Sequence, residues 1–393
     1  MWDAEYDLII IGSGFAGLAA ALEARKHCSS IIVLEKMRVP GGNSVISGGL
    51  VAAAGSELQR QAGLKDSPEL MMYNMLAAGI KLNQPELIRI VAERSVEALQ
   101  STIDELGVKY KPRLSHLGGH SVPRTYNTIE TSGSGIIRPM LTRCRKLGIP
   151  VQLKTLFKRF VLDENDEVEG VMVSENYIYP NPKTGEIRRL RAKKAVVLAA
   201  GGFAQDITFR TIQNPNLTAD IESTNQPGAT AESLIEAIRI GATPIQLSLI
   251  QLGPWASRDE EGFGVGSMFS MLAGFPYGIL VDRSSGRRFV NELSDRKLLV
   301  DAMLNSGREA VAIVDSKGVQ HASTLEKCLK RGVVKQYESI DELANDNRIP
   351  LEALKNTILS YNASVEKGVD DEFGKPITDD LPRSSSLPTS ASA

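Results

Sequence analysis

Residues 7–17 read DLIIIGSGFAG, an apolar β-branched run that breaks into glycines at Gly12, Gly14 and Gly17, the spacing G-x-G-x-x-G. The run Leu8-Ile9-Ile10-Ile11 suits a strand buried on both faces, because a half-exposed strand would alternate apolar and polar residues. The alanine-rich stretch 16–26 suits a helix, and a second apolar run at 31–34 suits a second strand. Strand, glycine turn, helix and strand within about 30 residues make the βαβ unit of a doubly wound parallel sheet. Each glycine has its own duty. Gly12 permits the tight turn, Gly14 lets backbone N–H groups approach a pyrophosphate, and Gly17 lets the helix lie close on the sheet. The helix N-terminus then faces the phosphates, so Gly12, Ser13, Gly14, Phe15, Ala16 and Gly17 are expected to hold a dinucleotide. Glu35 ends the second strand, where a carboxylate accepts hydrogen bonds from a ribose 2′-hydroxyl and disfavours a 2′-phosphate. FAD or NAD is therefore expected rather than NADP.

The 393 residues exceed what one hydrophobic core serves, so two domains, or one large domain with an insertion, are expected. With 42% hydrophobic and 23% charged residues the chain should fold as an ordinary globular protein. A net charge of −2 provides no field to gather nucleic acid or an anionic membrane, and the basic residues within 188–194 read as a solvated hairpin edge. Nucleic acid is not an expected partner. Three cysteines at wide spacing indicate neither a disulfide framework nor a zinc knuckle, and no metal site is expected. There is no C-x-x-C-H for covalent haem, so electrons are expected from a separate donor. No charged-then-apolar leader and no apolar run long enough for a membrane span is evident, so the expected location is cytoplasmic, or periplasmic after removal of a leader.

Further along, residues 67–107 carry a helical pattern with apolar positions at Leu87, Ile90, Val91, Val96 and Leu99. Residues 160–173 alternate around a polar turn and predict a hairpin. Residues 195–200 form another apolar strand ending in Gly201-Gly202, and residues 245–281 read mostly as loop and short strand. The pattern predicts a helix over 350–366 with Pro350 at its start, and residues 384–393 are low in complexity and expected to be disordered.

The segment Gly41-Gly42-Asn43-Ser44, followed by Ser47-Gly48-Gly49, resembles the glycine-serine loop of the flavin subunits of soluble fumarate reductases, where it runs alongside the flavin. The resemblance to the fumarate reductase and succinate dehydrogenase flavoprotein family covers nearly the whole chain to about Pro376. Residues 118–124 (GGHSVPR) are similar to its loop beside the active-site cleft. Ala199-Ala200-Gly201-Gly202-Phe203 is similar to its second FAD-contacting turn, and residues 225–230 (NQPGAT) to its NxPGAT stretch. Residues 286–296 (GRRFVNELSDR) are similar to the capping-domain segment whose final arginine supplies a proton to the substrate. The resemblance implies FAD as cofactor, with Lys36, Ala200, Gly201, Gly202 and Thr230 among its contacts, and Arg296 as the proton donor. It implies a doubly wound Rossmann-like FAD-binding domain over residues 1–247 and an inserted α+β capping domain over 248–376, with a disordered tail at 377–393. No histidine lies in residues 41–49, where membrane-bound relatives tether FAD, so the flavin is expected to be non-covalent.

The departures from the family are as informative. The histidine that grips a substrate carboxylate aligns with Gly253, and the relay carboxylate and arginine align roughly with Met271 and Gly274. Of the histidines, His120 alone is expected near the cleft, while His27 and His321 are expected to be structural. The substrate implied is a small molecule, an α,β-unsaturated acid larger than fumarate, reduced across C=C. Family members continue through a further flavin contact and a substrate-binding arginine that this sequence lacks, implying a C-terminally truncated member. Two other readings stand beside this one: a ketosteroid-type flavin dehydrogenase, favoured if Tyr277 faced the flavin, and an incomplete FAD-binding protein without catalysis.

Overall fold

The structure, a computed structural model, describes residues 1–377 apart from 118, 258, 261–263, 308 and 323. The expected tail, beyond Ile377, lies outside the described residues, as does Gly118 of the cleft loop. The chain divides into two compact units, one of residues 1–221 with 225–250 and one of residues 222–224 with 251 onward.

In the first unit the apolar run at the N-terminus forms β1 (Ala4–Ile11), the glycines turn the chain into α1 (Phe15–Ala24), and β2 (Ile31–Leu34) follows. The next strands are β3 (Leu50–Ala52), β4 (Thr125–Asn127), β5 (Val151–Gln152), β6 (Leu156–Leu162), β7 (Val168–Glu175) and β8 (Glu186–Leu198). The main sheet runs β5-β2-β1-β8-β7-β6, and β3 pairs with β4 separately. Strands β5, β2, β1 and β8 are mutually parallel, while β8-β7-β6 is an antiparallel meander. The hairpin predicted over 160–173 is the β6-β7 half of that meander.

Both faces of β1 are covered, which explains its unbroken apolar run. Leu8 and Ile10 pack with Leu18 and Ala21 of α1 and with Ile137 and Met140 of a helix at Ser134–Lys146. Ile9 and Ile11 point the other way, into Phe157, Val171 and Leu190, as the two-residue period of a strand requires. Fully burying each such aliphatic side chain is worth about 1.5–3 kcal/mol. Gly12 sits at φ +104°, and a Cβ there would stand 2.4 Å from the Ala199 carbonyl oxygen. A Cβ on Gly17 would stand 1.9 Å from the Gly12 carbonyl oxygen. The turn and the helix thus touch backbone to backbone.

The helical region predicted at 67–107 is three helices, Pro68–Ala78, Pro85–Glu93 and Ser95–Asp104. The second presents Ile88 and Ala92 inward and leaves Leu87, Ile90 and Val91 exposed, so its apolar positions fall on both faces of the helix.

The second unit is built on an antiparallel pair, β9 (Ile279–Asp282) and β10 (Ala310–Ile313). Ile279, Val281 and Ile313 pack against Leu354, Ile358, Tyr361 and Val365 of the long helix Leu351–Lys367. Pro350 is the N-cap of that helix, one position before its first turn. Leu280 faces the opposite side, toward Phe275, Val290 and Leu299. Residues 266–277 are helical, as α-turns flanking a π-turn at Ser270–Gly274, where a loop was expected. Glycine is only about 1 kcal/mol worse than alanine in a helix, and burial of Phe269 and Ala273 against Ala322 and Cys328 outweighs it. No helix among the described residues is long and apolar enough to cross a membrane.

Candidate functional site

At the C-terminal end of β1 the first unit encloses a cavity of about 220 Å³. It is lined by the glycine turn (Gly12 to Ala16), by Glu35 and Lys36 after β2, and by Gly42, Asn43 and Ser44. Ala200, Gly201 and Gly202 after β8, with Thr230, complete the wall. These positions lie up to 218 residues apart in sequence and converge because β1, β2 and β8 are parallel neighbours whose C-terminal ends share one edge, the crevice where ligands sit in open α/β sheets.

Ser13, entirely buried, connects three of these segments. Its hydroxyl accepts from Gly41 N (2.9 Å) and donates to Glu35 Oε2 (2.5 Å), while its own N–H reaches the same oxygen at 3.3 Å. Glu35 Oε1 accepts from Met37 N (2.9 Å), so the carboxylate is aimed at the cavity by donors on both oxygens. Phe15 N, one of the helix-start donors without an intrahelical acceptor, donates to Ser44 Oγ (3.0 Å). Asn43 is fixed by Gln226 N, which donates to its Oδ1 at 2.8 Å, and by its own amide donating to Asn225.

Other expected contacts lie elsewhere. Gly17 is packed beneath the turn, Gly41 is bonded to Ser13, and neither lines the cavity. Ser47, Gly48 and Gly49 lie past the short helix Gly42–Ile46, where Ser47 Oγ donates to Ser44 O (2.9 Å) and a Cβ on Gly49 would strike Ser132. Glu232 forms an ion pair with Lys36 and accepts from Thr230. Burial works against its charged form, yet the Lys36 charge and these hydrogen bonds hold its carboxyl below the usual range. The cue that could have found it is its position two residues after Thr230, at the first turn of a helix, Glu232–Arg239.

This wall suits the adenosine and pyrophosphate part of FAD. Gly14 adds no side chain to it, and a Cβ there would meet Ser44 Oγ at 3.1 Å. At about 220 Å³ the cavity is smaller than the roughly 300–1,000 Å³ of pockets that enclose a whole drug-sized ligand.

The remaining site residue is in the second unit. Asp295 caps the helix Arg296–Asn305, accepting from Lys297 N (2.9 Å) and Leu298 N (3.1 Å). Arg296, the first residue of that helix, is exposed. Its Nη1 donates to Gln251 Oε1 (3.0 Å) and its guanidinium lies 4.7 Å from the centroid of the Trp255 ring. Partial desolvation lowers its pKa. Glu292 is engaged elsewhere, with Arg288 and Lys375. A Cβ on Gly274 would meet Ala312 and Phe269, so that position points into the core of the unit. Tyr277 is stacked on His321 with ring centroids 3.9 Å apart. His120 belongs to the first unit, and burial lowers its pKa. The second unit also holds a cavity of about 490 Å³ beneath β10, walled largely by apolar side chains including Trp255, Phe269 and Leu280. It has none of the strand-turn-helix features of the first.

A family described as an FAD binding domain matches residues 7–388. The acrylate reductase flavoprotein subunit of Shewanella woodyi is 47% identical over 388 residues, which cover 96% of this chain and 76% of that protein. Urocanate reductase of Eggerthella lenta is 29% identical, over 94% of this chain and 61% of its own length. Among solved structures, the open conformation of a flavocytochrome c3 fumarate reductase aligns with a TM-score of 0.76 at 25% identity, over 99% of this chain and 66% of that one. The chain thus spans less than two thirds of the latter two.

Proposed function

The chain belongs to the FAD binding domain family, among flavoproteins of the fumarate reductase type, and from that premise we propose that it reduces the C=C bond of an α,β-unsaturated monocarboxylic acid, with acrylate as the leading candidate. In this reading residues 1–247 are the FAD-binding domain and residues 248–376 the capping domain. FAD is held non-covalently along Gly12, Gly14, Glu35, Lys36, Asn43, Ser44 and Thr230. Reduced FAD, when bound, supplies a hydride to one carbon of the polarised double bond. Arg296 supplies the proton to the neighbouring carbon, and a separate protein donates the electrons.

The observation that carries this reading is the setting of Arg296 in a chain 47% identical to an acrylate reductase flavoprotein. Its guanidinium has an amide and an aromatic ring as partners, and its pKa is lowered. An arginine is a weak acid, with a pKa above about 12, so a setting that favours the neutral form suits proton donation. The glycine at 253 has no side-chain donor for a second substrate carboxylate. Enlarging the substrate was the expectation from that glycine. An acid with one carboxylate fewer accounts for it more simply, and acrylate is such an acid.

The test is anaerobic reoxidation of the flavin-reduced protein by acrylate, fumarate and urocanate. Acrylate should react fastest. Fumarate should lag by roughly 10- to 150-fold, the worth of one charge-assisted hydrogen bond at about 1.5–3 kcal/mol. Fumarate outpacing acrylate would sink the substrate assignment. Gly14→Val should yield protein without flavin absorbance, and undiminished FAD affinity in that variant would remove the glycine turn from the site.

A further inference from the structure

Trp255 follows the Gly253-Pro254 pair, and no role for it was read from the sequence. It lies 41 residues before Arg296 in the chain, yet its ring carries the guanidinium at 4.7 Å, within the roughly 6 Å over which a ring face attracts a cation. Gln251, on the same segment, holds one edge of the guanidinium through its amide oxygen at 3.0 Å. One short stretch thus restrains Arg296 in two directions, by face and by edge.

We propose that Trp255 is the positioning residue for Arg296, the aromatic half of a clamp that aims the guanidinium without an anionic partner among the described residues. The inference rests on the reading of Arg296 as proton donor and deepens it. A carboxylate could hold the cation as well, but would also stabilise its charge and make the proton harder to release. A ring face and an amide oxygen hold it with less such penalty. Neither can return a proton. After Arg296 gives one Nη proton to the substrate carbon beside the one that has taken hydride, the neutral guanidine regains its proton from water, which reaches this exposed residue directly.

Arginine-labelled full-length protein tests the clamp without any substrate. The Nε–H signal of Arg296, assigned by its loss in Arg296→Lys, should carry a ring-current shift. Trp255→Leu should abolish that shift and Trp255→Phe should keep part of it. In acrylate-dependent reoxidation, Trp255→Leu should lower kcat roughly 2- to 5-fold, the worth of a cation–π contact at an exposed site, with KM little changed, and Trp255→Phe should restore most of the rate. An Arg296 signal that is the same in Trp255→Leu and wild type overturns the proposal whatever the turnover. A signal that moves while kcat stays at the wild-type value overturns it too. If Trp255→Leu does not fold, Trp255→Phe still decides, since its signal must move part of the way. Wild-type protein that shows the shift but never turns over acrylate supports the clamp and counts against the substrate reading instead.

Discussion

Arg288 and Arg296 stand eight residues apart in one motif and are held in opposite ways. Arg288 is buried at 4% exposure and makes paired hydrogen bonds to each of two carboxylates, Glu292 at 2.9 and 3.0 Å and Asp370 at 2.9 and 3.1 Å. Its guanidinium also lies over the rings of Tyr361 and Phe373. Burial works against its charge, but the two carboxylates prevail and raise its pKa. Arg296 is exposed, touches an amide and one ring, and has its pKa lowered. Both are cations over aromatic rings, so the aromatic contact is not what separates them. The carboxylates are. Paired with two anions an arginine is a fastener; Arg296, with no such partner among the described residues, is under the proposed function a usable acid.

The largest expected effect breaks the pair by function. Arg296→Ala should lower acrylate turnover by about 10²–10⁴-fold, the usual contribution of a general acid, while the flavin spectrum and thermal midpoint stay unchanged. Lysine should rescue poorly, because a point charge does not reproduce the planar fork. Equal rates in all three proteins would remove Arg296 from the chemistry.

Next comes the converse at Arg288. Arg288→Met removes the arginine partner of buried Asp370 and leaves buried Glu292 with Lys375, and removing one partner of a buried ion pair costs about 3–5 kcal/mol. The urea midpoint should fall accordingly. A midpoint shift of less than about 1 kcal/mol, the scale of a surface pair, would show that the cluster does not fasten the unit.

A smaller effect should follow from making Arg296 resemble Arg288. Gln251→Glu places an anion where the amide oxygen now lies, raising the guanidinium pKa, so turnover should drop several-fold with stability unchanged or slightly higher. A faster variant would mean that Arg296 is limited by recharging rather than by release of its proton.

The smallest concerns Lys375, whose Nζ is buried beside Glu292 and donates to the carbonyls of Phe275 and Gly278. Burial, reinforced by the Arg288 charge, lowers its pKa to about 8 from an ordinary 10.5, although Glu292 pulls the other way. Between those values the unfolded chain holds a proton that the folded chain has released, so folding stability gains with rising pH in that window. Below about pH 8 both states are protonated and the cost of the buried charge is constant. Wild type should therefore gain on Lys375→Met as the pH rises from 8 to 10, as read from paired urea midpoints. A constant difference would mean that Lys375 stays charged throughout.

Local chemistry was legible in the sequence where one short segment carried the whole signal. The run 7–17 predicted β1, its turn and α1 because periodicity and glycine spacing act over neighbouring residues. Arg296 was singled out by a motif and Glu35 by its place after the second strand, and the structure sets the one at a helix start and the other in the cavity wall. What escaped depends on partners distant in the chain. Lys36 meets Glu232 across 196 positions, and Trp255 means little until helix capping by Asp295 brings Arg296 over it. Gly266 to Tyr277 read as loop because local propensity disfavours helix there, and only the cluster around Phe269 reverses that. The same distance explains why Ser47, Gly48 and Gly49, adjacent in sequence to the cavity loop, turn away from it at the end of their short helix.

The hydroxyl of Ser13 has one further consequence. Search patterns for the glycine motif leave its second letter open, as though any residue would serve. Here that letter is spelled by a buried group that must receive one hydrogen bond and give another, between Gly41 and Glu35. Alanine could do neither and threonine would bring a methyl group into a position with no exposed surface. Within this chain the motif therefore has fewer synonyms than its written form suggests, and a library randomised at residue 13 should return serine far above chance when selected for FAD retention.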